Sequence, residues 1–148
     1  GFGHAASAAV VLTVDISNPS AVVISATSGA SSITDATATN TSGITLEDLF
    51  TSNFDPPPFF DSSTLKTAEN PTNVAYDSAN NDFASVGPTD LNIYDPGASQ
   101  TQNFVTGDQA FTGSGTIDLS LAPLQAIGFT GNVRVGDGNA PSTFSILG

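Results

Sequence analysis

From Ala8 to Ile16 the chain alternates, with Ala8, Val10, Leu12, Val14 and Ile16 on one side and Val11, Thr13 and Asp15 on the other. A period of two is the mark of a strand with one buried face. Asn18-Pro19-Ser20 reads as a turn and the β-branched run Ala21–Ala26 as a second strand, so a hairpin is predicted at the start. The alternation returns in Thr116–Leu121, where Ile117, Leu119 and Leu121 oppose Asp118 and Ser120. It recurs where Val133 and Val135 oppose Asn132 and Arg134, and where Phe144 and Ile146 oppose Thr143 and Ser145. Shorter apolar runs at Asn73–Tyr76, Asp82–Val86, Leu91–Tyr94, Asn103–Thr106, Ala110–Thr112 and Ile127–Phe129 are predicted strands as well. Many short strands, parted by Gly, Pro and Asn at a spacing of roughly 8–12 residues, predict an all-β antiparallel sandwich of jelly-roll type. Nothing between them has the length or pattern of the helices that parallel crossovers need.

Three stretches break the pattern. Ser31–Ser42 is rich in Ser, Thr and Ala with only Ile33 large and apolar, which predicts a weak edge strand or an exposed loop. Thr45-Leu-Glu-Asp48 has the form of a capping box, and a single helical turn over Leu46–Thr51 is predicted from it. Pro56-Pro57-Pro58 fixes φ and removes three amide donors, so Asn53–Asp61 must bridge two elements as a stiff extended segment. The predicted organisation is an export-signal remnant or ordered arm over residues 1–8, followed by one β-sandwich domain over residues 9–148.

Charge narrows the functional classes. Two Lys and Arg residues stand against 14 Asp and Glu, for a net charge of -12. Lys66 and Arg134 are too few and too far apart to neutralise a run of phosphates, which argues against nucleic acid and against an anionic membrane surface. The absence of Cys removes disulfides, thiolate zinc sites and thiol nucleophiles. No run of apolar residues reaches the length of a membrane-spanning helix. Ala6-Ser7-Ala8 has the small-x-small spacing of a signal-peptidase site, and the charge-poor, hydroxyl-rich body that follows suits an extracellular address.

Catalytic chemistry is poorly provided for. His4, the only histidine, sits in the opening segment, where it would be an improbable base for a Ser-His-Asp triad. No carboxylate is set apart by its neighbours for glycoside hydrolysis, and the chain is predicted not to be an enzyme. Calcium is the ion that the abundant oxygen ligands suit best. Its candidate ligands are Asp77, Asn80 and Asp82 in the cluster Asp77–Asp82, with Asp95 beyond it, and Asp137 in the turn Gly136–Asn139. Asp, Asn and Gly are also the commonest turn formers, so each of these has a plain structural reading too. Asn40-Thr41-Ser42 fits the N-glycosylation acceptor pattern. Phe54, Phe59 and Phe60 around the prolines are suited to stacking on a sugar, docking a neighbour or capping an open end of the sandwich.

The small-residue export junction running into Ala9-Val-Val-Leu-Thr-Val-Asp15, the Ser/Thr/Asn/Gly body and Ser42-Gly-Ile-Thr-Leu-Glu-Asp48 together resemble secreted bacterial proteins of the PEP-CTERM class. The Pro-Glu-Pro motif of that class does not occur in residues 1–148. The resemblance implies an exported, glycosylated protein of an extracellular matrix or biofilm, and it carries over no catalytic residue. The expected function is that of a structural subunit of a filament, surface layer or matrix. Self-association is expected through the apolar strand positions Val10, Leu12, Val14 and Ile16, added to a neighbour's sheet, although the plainer reading of the strand taken alone is that it pairs within its own sandwich. The alternative is a calcium-dependent carbohydrate-binding or adhesive module.

Overall fold

The computed structural model describes residues 8–35, 39–40, 43–70, 72–81, 87–96, 100–136 and 138–148. The expected strand Asp82–Val86 and the junction Ala6-Ser7 lie outside these residues. Among the described residues the regular structure is almost entirely strand, as the alternation predicted. The strands are β1 (Val10–Asp15), β2 (Val22–Ala26), β3 (Thr39–Asn40), β4 (Ile44–Leu46), β5 (Ser62–Ser63), β6 (Lys66–Thr67) and β7 (Ser78–Asn80). They continue with β8 (Leu91–Tyr94), β9 (Gln100–Thr101), β10 (Phe111–Thr112), β11 (Ser114–Ile117), β12 (Thr130–Val135) and β13 (Ser142–Leu147). A single 3-10 turn, Pro19–Ala21, joins β1 to β2, capped by the Asn18 side chain accepting from the Ser20 amide. No helix among the described residues is long and apolar enough to cross a membrane.

Nine strands form one sheet in the order β5-β11-β2-β1-β13-β12-β4-β8-β7, and β10-β6 and β3-β9 are separate pairs. The predicted hairpin is present, with Val14 opposite Ile24. One pairing departs from the antiparallel expectation: β1 runs parallel to β13, Val14 beside Ile146, which makes the large sheet mixed. That sheet curls until its ends meet. Ala79 N–H donates to the Pro58 carbonyl and Phe60 N–H to Asp77, both at 2.9 Å, along the outer edge of β7. Asp61 then donates to Thr116 at 2.9 Å, and β5 pairs with β11. The proline bridge thus closes the sheet, and the missing amide of Pro58 costs nothing there because Pro58 is called on only for its carbonyl while Phe60 and Asp61 supply the donors.

The interior is one apolar cluster that includes Leu12, Val14, Ile24, Leu46, Phe50, Leu65, Ile93, Phe111, Ile117, Val133, Phe144 and Ile146, all 0–1% exposed. The alternation of β12 and β13 points into it as predicted, and β2 likewise buries Val22 and Ile24. In β1 both Val11 and Leu12 are fully buried, at an irregularity in its ladder with β13, so Val11 does not share the polar side foreseen for it. At Gly43, φ is +64° and an added Cβ would lie 1.9 Å from the Ile93 carbonyl oxygen, so only glycine lets β4 enter so close to β8.

Three local expectations are corrected, and one left open is decided. Leu46–Thr51 is not a helical turn: Ile44–Leu46 is strand, paired with β8 and β12, and the Thr45 hydroxyl donates to Asn92 Oδ1 instead of capping. Two long-range ladders outweigh a local cap. Of the two readings open for Ser31–Ser42, the weak edge strand holds: Ser31 and Asp35 are buried and bridge to Thr106 and Phe104, and Thr39–Asn40 pairs with β9. Asn73–Tyr76 and Ile127–Phe129 form no strand, and Ile127 lies on a turn, 61% exposed. Finally, β11 ends at Ile117 and Leu121 stands out 88% exposed, not on the buried face.

Candidate functional site

The reason for that last departure also builds a site. Asp118 Oδ1 accepts from the Ser120 amide at 3.0 Å and from its hydroxyl at 2.7 Å, a side-chain turn that stops the strand. Leu119 still reaches the core at 1% exposure, and the Ala122 amide bonds back to its carbonyl at 3.0 Å, so Leu121 is thrust outward at the top of the turn. Ser120's hydroxyl and then its amide hold the Asp118 carboxyl below the usual carboxylate range, because both bonds favour the charged form.

Facing this turn is the start of the proline bridge. Phe54 is half-buried, its ring edge against Phe50 at a centroid separation of 5.1 Å, and its amide donates to the Pro88 carbonyl at 3.2 Å. The Asn81 side-chain amide donates to the Phe54 carbonyl. Asp55 is exposed and Pro56 is buried beside it. Phe54, Asp55, Pro56 and Pro57 on one side and Asp118, Ser120 and Leu121 on the other enclose a groove of about 260 Å³. Its walls are an aromatic ring, two pyrrolidine rings and a leucine; its only charges are two carboxylates. Both walls are pinned by backbone bonds, so the groove is preformed.

The aromatic trio divides three ways. Phe54 lines the groove, Phe60 is 9% exposed within the core, and Phe59 is 64% exposed on the closing seam. Asp55, Asp118, Ser120 and Leu121 were not singled out from the sequence. The signal was present in Asp118-Leu119-Ser120, because the same acid-x-serine spacing at Asp15-Ile16-Ser17 makes the same turn, with the Ser17 amide donating to Asp15 Oδ1 at 2.9 Å.

The calcium candidates are dispersed. Asp77 is exposed just before β7 and accepts from the Ser78 hydroxyl at 2.8 Å, and Asp95 is buried just after β8, at the same end of that antiparallel pair. Asn80 sits at the far end of β7, about 10 Å of strand from Asp77, with its Oδ1 enclosed and unpaired opposite Asn92. Asp82 and Asp137 lie outside the described residues. Among the described residues no group of three acidic or histidine side chains gathers. Asn40 lies in β3, paired with Gln100, while Thr41 and Ser42 of its acceptor pattern are outside the described residues.

The assembly strand is engaged within its own chain. β1 has β2 on one edge and β13 on the other, Leu12 and Val14 are fully buried, and Val10 and Ile16 are half-buried. A strand with both edges paired offers no free ladder to a neighbour. No protein-family model, curated protein or solved structure matches the chain.

Proposed function

We propose that this chain is a non-enzymatic structural subunit of an extracellular assembly, a filament, surface layer or biofilm matrix. The observation that carries this reading is the use made of its polar side chains. Asp90 spends both carboxylate oxygens on backbone amides, from Asp48 at 2.7 Å and Gly87 at 3.0 Å. Asn139 donates to the buried Asp35 at 3.0 Å, and Asn70 and Asn73 both donate to the Thr101 carbonyl. Acids and amides here stiffen loops around a closed sheet, which suits a component that bears load. With β1 enclosed, contacts between subunits fall to the side-chain surface of the folded sheet rather than to strand donation. A net charge of -12 opposes close association, and calcium ions between copies would relieve it. Export, the glycan at Asn40 and the kinship with PEP-CTERM-class proteins belong to the same proposal. Negative-stain microscopy of native material should show fibres or sheets that disperse with a chelator. Only single particles, with and without calcium, would remove the reading.

A second reading, a calcium-dependent carbohydrate-binding or adhesive module, is favoured by one feature: Phe54 shares its groove with Asp55 and Asp118. An aromatic ring beside hydrogen-bond acceptors is how proteins hold a sugar face. A glycan array with and without chelator tests it, and silence in both conditions counts against it.

A further inference from the structure

The walls of the groove and its charges ask for different things from an occupant. Phe54, Pro56, Pro57 and Leu121 want an apolar stem, while Asp55 and Asp118 want a cation. A long basic side chain supplies both, because its methylenes lie along apolar surface while its head reaches outward to charge. The ring of Phe54 adds attraction for a cation, and Asp118 keeps its charge through its bonds to Ser120. None of the lining residues carries a compensating positive charge.

From this complementarity we propose that the groove between Phe54–Pro57 and Asp118–Leu121 is a docking site for a lysine or arginine side chain on a basic segment of another protein. A second copy of this chain is a poor donor. Its two basic side chains are Lys66, half-buried in β6, and Arg134, whose Nε is 2.6 Å from Glu47. The occupant therefore comes from a partner of opposite charge, for which the field of this acidic protein also favours encounter. Such docking names a partner chemistry for the assembly proposed above and rests on that reading only for where the partner is met. Dispersed particles in negative stain would leave the docking test standing, and failure of the docking test would leave fibres standing.

The test is a titration of the whole chain with Nα-acetyl-lysine methylamide, followed through backbone amide shifts. The expected result is saturable movement of the Phe54, Asp55 and Asp118–Leu121 amides. The neutral isostere Nα-acetyl-norleucine methylamide should bind at least about fivefold more weakly, the loss expected when one of two charges is removed. The variant D55N should weaken lysine binding by a similar factor, and D55N/D118N further. The variant E69Q/D108N removes the same formal charge elsewhere and should leave binding within about twofold, since charges distant from the groove are screened. Equal binding of norleucine, equal loss in E69Q/D108N, shifts confined to other surfaces, or preferential saturation by methyl glucoside would each overturn the proposal, the last in favour of a sugar site.

Discussion

Asp90→Ala is the substitution that most directly challenges the view of acids as structural clamps. Asp90 is 7% exposed and holds the Asp48 and Gly87 amides at 2.7 and 3.0 Å. The turn it holds is strained, since Asp48 has φ 56° and is the only non-glycine residue with positive φ among those described. From that turn the chain passes directly to Leu49 and Phe50, both buried in the core. A hydrogen bond to a charged group is worth about 1.5–3 kcal/mol net, and truncation removes two of them at once. The loss should therefore be about 3–5 kcal/mol, a large share of the 5–15 kcal/mol that roughly brackets a domain's stability. At about 2–4 °C per kcal/mol for this size, the midpoint of thermal unfolding should fall by about 6–20 °C. Urea unfolding followed by circular dichroism measures the loss directly, with the m value as a check on two-state behaviour. Asp90→Asn, which keeps one acceptor, should lose about half as much. Asp48→Gly should be nearly neutral, because relief of about 1 kcal/mol of backbone strain offsets the lost bond from Thr89, 2.8 Å away. An Asp90→Ala protein within about 1 kcal/mol of the parent, at unchanged m, would refute the clamp.

Other expectations follow from single contacts. Ser120→Ala should raise the Asp118 pKa, because the hydroxyl bond is the larger of the two that lower it, whereas Ser17→Ala should move Asp15 less, its backbone bond being the larger; carboxyl-carbon NMR titration reads both. Glu69 is held above the usual carboxylate range by its hydrogen bond with Asp108, then by desolvation and by the Asp108 charge. The folded state therefore binds that proton more tightly than the unfolded chain, and stability should decline as pH rises from about 4.3 through the folded value of Glu69. Glu69→Gln should abolish that part of the decline in urea midpoints taken at successive pH values. Gly43→Ala should cost about 3 kcal/mol or more by urea unfolding, since it sets overpacking against the Ile93 carbonyl on top of a positive φ. Leu12→Ala should cost about 2–5 kcal/mol, as expected for a fully buried leucine in a central strand.

Local period-two alternation was enough to mark β1, β12 and β13, because a strand with one buried face writes its pattern into consecutive residues, and a β-branched run marked β2. Prolines 56–58 likewise announced a stiff bridge before any partner was known, and the acid-x-serine turns at Asp15 and Asp118 close within three residues. What those residues meet was another matter. Thr45 looked like a cap until two neighbouring strands claimed its backbone, and Leu121 looked buried until the Asp118 turn reversed its direction. The run Asn73–Tyr76 has the pattern of a strand that does not form, yet the Tyr76 ring is buried and its hydroxyl bonds to Gln102, with burial pushing the phenol pKa up. Val10, Leu12, Val14 and Ile16 read as one strand of a hairpin with its other edge unassigned, and only the arrival of β13 from far along the chain took that second edge. The groove is the extreme case, since its two walls are about sixty residues apart in sequence and meet only because Pro58–Ser63 ties the last strand of the sheet to the first. Strand, turn and stiffness were legible in the residues themselves, since each depends on a few bonded neighbours. Pairing, closure and the meeting of Asp55 and Asp118 in one groove came only with the folded chain, because they depend on which distant segments compete best for the same edge.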